Sequence, residues 1–166
     1  MLHKIIKHLD SKNSVASAEA HCDIPCKIYD PSSAQIAALT ILRMVDLINE
    51  TEANAGDKDT SYLNSMARFI ATKEEHGIKC KEEIRIIWGD YFKTPQFEKF
   101  PEIHDVTHGI MMLASQCKQN VDRDKAVALV EEVNKFAEIF WATKDVKTKR
   151  STCPYPPAVE VVYPDL

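Results

Sequence analysis

From Asp30 onward, apolar residues recur every three or four positions, the spacing that lays a stripe along one face of a helix. Asp30-Pro31 predicts the first helix start, because the Asp carboxylate accepts from free amides and Pro fits the opening turn. That helix runs to about Thr51, with Ala34, Ala37, Ile41, Met44 and Ile48 on one stripe. The polar stretch from Glu50 to Thr60 reads as a loop. A second helix carries Leu63, Met66, Ile70, Lys73, Gly77, Cys80, Ile84 and Ile87, a seam that only Lys73 and Gly77 interrupt. Asp90 to Pro101, rich in aromatics and proline, reads as a turn region. Ile103, Val106, Ile110, Leu113 and Cys117 predict a third helix; Ala126, Val130, Val133, Ala137 and Phe140 predict a fourth. Four such helices joined by modest loops predict an all-α fold, an antiparallel up-down four-helix bundle over residues 31–144.

Both ends depart from this pattern. Residues 145–166 hold Pro154, Pro156, Pro157 and Pro164 without helical period, so they read as an extended tail, disordered or laid against a partner. Residues 1–20 read as a detachable leader. Ala18 and Ala20 imitate a signal-peptidase site, but Lys4, Lys7, His8 and Asp10 break the continuous apolar core that secretion requires. The expectation is a pro-segment removed in place from a cytoplasmic protein.

Composition narrows the function classes. The chain has 166 residues, 45% hydrophobic and 28% charged, with four glycines, which suits one helical domain. A net charge of −4 without a basic stripe argues against nucleic acid. No apolar run approaches the ~20 residues needed to span a membrane. Five cysteines cannot all pair within one chain. Cys80 and Cys117 fall on apolar stripes and read as core, and Cys153 stands apart. His104 and His108 are spaced as metal ligands can be, but no third ligand accompanies them. Trp88 reads as aromatic packing.

Cys22 and Cys26 need a separate explanation, since C-x3-C matches neither zinc-ribbon nor thioredoxin-like spacing. They lie in His21-Cys22-Asp23-Ile24-Pro25-Cys26, between the leader and the first helix. Two thiolates, an imidazole and backbone nitrogens within this segment can surround one ion, and planar N and S donors favour Ni(II) or Cu(II). Cleavage before His21 adds the new α-amine to that set. The same residues leave open a bundle that binds nickel or copper without turnover, and a thiol redox protein using Cys22 and Cys26.

The segment HCDIPCKIYDP, residues 21–31, resembles the metal hook of nickel superoxide dismutases, H-C-x-x-P-C-x-x-Y. WGDYFKTPQFEKFPEIH, residues 88–104, is similar to a second motif of that family, and IFWATK, residues 139–144, to a third. The resemblance implies an enzyme that converts superoxide to dioxygen and hydrogen peroxide by cycling Ni(II) and Ni(III), with one nickel ion per subunit. It implies a hook over residues 21–29, removal of residues 1–20 by a maturation protease, and assembly into a homohexamer. His21, Cys22 and Cys26 become the nickel ligands, with Tyr29 beside them in catalysis. Asp23, Tyr91 and Lys93 line the approach, and Pro25 bends the hook. The family's glutamate and arginine that hold the axial imidazole fall, counted without gaps, on Ala37 and His76. That departure means the support of His21 differs, with His76 a partial substitute, and it keeps the non-catalytic reading alive.

Overall fold

The computed structural model describes residues 27–166. The leader, together with His21, Cys22, Asp23, Pro25 and Cys26, lies outside the described residues.

Four long helices form the expected bundle: α1 (Ser32–Ala53), α2 (Thr60–Ile86), α4 (Ile103–Gln119) and α5 (Arg123–Ala142). α1 packs on α2 and α5, and α4 closes the ring against the same two helices. Aspartates start three of the four. Asp30 Oδ1 accepts from Ser32 N at 2.8 Å, Asp59 Oδ1 from Tyr62 N at 2.8 Å and Asp122 Oδ1 from Lys125 N at 3.1 Å. Ala34, Ala37, Ile41 and Val45 of α1 meet Ile84, Ile110, Leu129, Val133 and Phe136 in one continuous core.

Three expectations change. Leu63 and Ile70, read as core seam, are 59% and 44% exposed. α4 ends at Gln119, level with Lys73, so the first turns of α2 have no α4 to face. The aromatic turn region is ordered as a π-helical turn over Ile87–Tyr91, followed by a short helix, α3 (Thr94–Lys99).

The third correction concerns residues 145–166, which form an ordered hairpin rather than an extended tail. β1 (Thr148–Thr152) and β2 (Glu160–Pro164) pair antiparallel, Thr148 opposite Pro164 and Thr152 opposite Glu160. The hairpin packs on α5 of its own bundle, with Val161 and Val162 both buried. Consecutive buried valines erase the alternation by which a strand is recognised. No helix among the described residues is long and apolar enough to cross a membrane.

Candidate metal centre and its approach

The described chain begins at the root of the hook. Lys27 to Asp30 is irregular, and Lys27 has a positive φ of 53°. Tyr29 then turns onto the bundle and packs against Tyr91, ring centroids 5.7 Å apart. Tyr91 arrives from the C-terminal end of α2, carried by the π-helical turn that continues it, a local widening common at functional sites. The end of α5 supplies the third side of this mouth. Tyr91 Oη and Thr143 Oγ1 are 2.6 Å apart, and Thr143 Oγ1 donates to Phe140 O at 2.6 Å. A hydroxyl has one proton, so with Thr143 committed to Phe140 the phenol of Tyr91 is the donor. Its oxygen keeps lone pairs to accept from water.

Charge at the mouth is local. Lys144 Nζ stands 4.7 Å from the Tyr91 ring centroid and 5.1 Å from that of Phe140, a cation–π arrangement that holds the ammonium at the entrance. Lys93 Nζ donates to Gly89 O at 3.3 Å, and Lys27 is exposed. The structure thus brings together Tyr29 and Tyr91 from the residues expected by sequence, with Lys93 on the adjoining turn. It adds Thr143 and Lys144, which the IFWATK motif contained without any sign that they face Tyr91.

His76 takes no part in that group. Half-buried in the middle of α2, its Nδ1 is 2.9 Å from Thr72 O. Ala37 is fully buried in the core. His104 Nδ1 accepts from Trp88 Nε1 at 3.2 Å, and its ring stacks near Phe97 with centroids 4.5 Å apart.

A thiolate metal site requires deprotonated sulfur. Burial pushes the Cys80 thiol up to about 12, and burial likewise raises Cys117 to about 11. Cys153 is buried, its Sγ donating to Tyr155 O at 3.2 Å. Among the described residues no group of three or more His, Cys, Asp or Glu side chains can hold a metal ion. By sequence alone, residues 21–26 offer two thiols, an imidazole and main-chain nitrogen, donors of the kind that suit Ni(II) or Cu(II).

A sequence model described as nickel-containing superoxide dismutase matches residues 16–144. The chain belongs to that family. Its relatives include the nickel superoxide dismutases of Streptomyces coelicolor, 31% identical over 128 residues, and Streptomyces seoulensis, 33% identical over 125. These alignments cover 77% and 75% of this chain, and 91% and 88% of the relatives. The native 1.30 Å structure of a nickel superoxide dismutase superposes with a TM-score of 0.63 at 31% identity, covering 75% of this chain and 99% of that one. A structure in the oxidised ligation state gives 0.65 at 30% identity with the same coverage. Membership makes this chain an oxidoreductase acting on superoxide, with nickel as its cofactor. Its terminal hairpin lies beyond the family match, which ends at residue 144.

Proposed function

We propose that nickel is held by His21, through its amine and imidazole, by Cys22, through its amide nitrogen and thiolate, and by Cys26, through its thiolate. This form arises when a protease removes residues 1–20 in the cytoplasm. The observation that carries the reading is that only two residues separate HCDIPC, in the sequence, from Tyr29, whose ring packs on Tyr91 at a lysine-bordered mouth.

Two superoxide anions and two protons become one dioxygen and one hydrogen peroxide. Nickel held by these donors would supply one-electron chemistry between Ni(II) and Ni(III), because thiolate and amide donors stabilise the higher state. The chain's own residues manage charge and protons. Lys27, Lys93 and Lys144 draw the anion toward the mouth although the whole chain carries −4. Tyr91, its proton given to Thr143, accepts a hydrogen bond from the water that delivers protons, and Tyr29 closes the other side. Asp23 and Pro25 complete the hook, the one as a polar wall and the other as its bend.

The assembly is a homohexamer. Leu63, Ala67, Ile70, Ala71 and Ile78 leave an exposed apolar stripe along α2 that a second copy would cover, which supports association. Cys22→Ser and Cys26→Ser in protein beginning at His21 test the ligand set: both are expected to lose nickel and dismutation together. Retention of nickel by either variant at full occupancy overturns it.

A further inference from the structure

The terminal hairpin is joined to two helices at one residue. Val162 N donates to Asn134 Oδ1 at 3.1 Å, and Asn134 Nδ2 donates to Glu160 O at 3.0 Å. The Asn134 amide thus pairs with β2 as the peptide unit of a neighbouring strand would. Val162 O accepts from Gln35 Nε2 at 2.8 Å, and Gln35 Nε2 also lies 3.5 Å from Asn134 Oδ1. Gln35 and Asn134 are 8% and 1% exposed, so these are buried amides with few alternatives in water.

Gln35 sits in the first turn of α1. Its N–H bonds Pro31 O at 3.0 Å, and Asp30 Oδ1 holds Ser32 N. Fixing Gln35 therefore fixes the turn from which Tyr29 emerges. A cavity of about 200 Å³ separates Asp30 and Ser32 on this root from Tyr163 and Pro164 of β2. The other strand holds α5: Arg150 bonds both Glu131 oxygens at 2.8 and 2.9 Å and Glu138 Oε1 at 2.9 Å. Tyr29 lies just before α1, while Thr143, the partner of Tyr91, caps the end of α5. The hairpin spans the two.

We propose that this hairpin, which lies outside the family match, clamps the root of the hook from Tyr29 to Gln35 and through that root slows the loss of nickel. Gln35 and Asn134 are positioning residues. The nickel half of the proposal rests on the ligand assignment above; the clamp does not.

Gln35→Met and Asn134→Leu keep side-chain size and remove the amides. In the full chain, backbone hydrogen exchange over residues 32–39 is expected to be roughly tenfold faster in each variant, with residues 107–117 of α4 unchanged. In nickel-loaded protein beginning at His21, nickel loss to a chelator is expected to quicken by a similar factor. Unchanged exchange over residues 32–39 in both variants overturns the clamp. Faster exchange with unchanged nickel loss overturns its role in slowing that loss. A parent protein that binds no nickel contradicts the ligand assignment instead, and leaves the exchange result to judge the clamp.

Discussion

The ammonium of Lys73 lies 2.6 Å from the backbone carbonyl of Cys117 and 2.5 Å from that of Lys118, so a side chain of α2 closes the end of α4. A helix leaves its last carbonyls unpaired, and a cation there meets both the free oxygens and the dipole. Lys73 is only 2% exposed, and Lys118 crosses α2 at Gly77, where an added Cβ would stand 2.5 Å from Lys118 Cγ. The two breaks in the apolar seam are one device. Lys73→Met should destabilise the fold by about 1–3 kcal/mol in urea unfolding, because buried carbonyls lose their donor. Gly77→Val should lose a similar 1–3 kcal/mol or so by overpacking.

The thiols should sort by burial. Cys80 and Cys117, raised to about 12 and about 11 mainly by desolvation, keep their protons at neutral pH. Iodoacetamide should leave both unlabelled in the native chain, while Cys22 and Cys26 react without metal and are protected by nickel. Peptide mass mapping reads the difference.

Acid should loosen the hairpin. Hydrogen bonds from Arg150 hold the Glu131 carboxyl below its ordinary value of 4.5. A depressed folded value contributes stability that is complete above the ordinary value and disappears as pH falls through the depressed one. Melting curves taken from about pH 6 to about pH 3 should show a decline that Glu131→Gln reduces. The pair is partly exposed, so the effect should be small and weaken with salt.

Tyr91→Phe removes the phenol that bonds Thr143 but leaves its ring between Phe140 and Phe92. Nickel content should be unchanged, with kcat lowered roughly tenfold, less than a buried acid–base group because water reaches the mouth. Thr143→Val, which keeps the phenol and removes the hydroxyl that accepts from it, should have a smaller effect. Pulse radiolysis of both nickel-loaded variants measures this.

The bundle was legible because its helices announce themselves locally, through periodic stripes and through Asp30 at a cap. Lys73 and Gly77 looked like defects, since their purpose depends on α4 arriving from far along the chain. The hairpin was hidden for another reason: Val161 and Val162 are both buried, so no alternation marks β2. At the mouth, Tyr29 and Tyr91 came from motifs, whereas Thr143 and Lys144 are placed by the end of α5 returning beside the start of α1. Such a meeting follows from topology, which no local pattern of residues encodes.

The central claim is a liberated amine at His21 acting with Cys22 and Cys26 on nickel. Purified active protein should be weighed for its N-terminus while its metal is quantified and its dismutation assayed in the same sample. The account predicts a chain beginning at His21, about one nickel per chain, and activity proportional to that nickel. Full activity in protein that retains residues 1–20, or in protein without nickel, would contradict it.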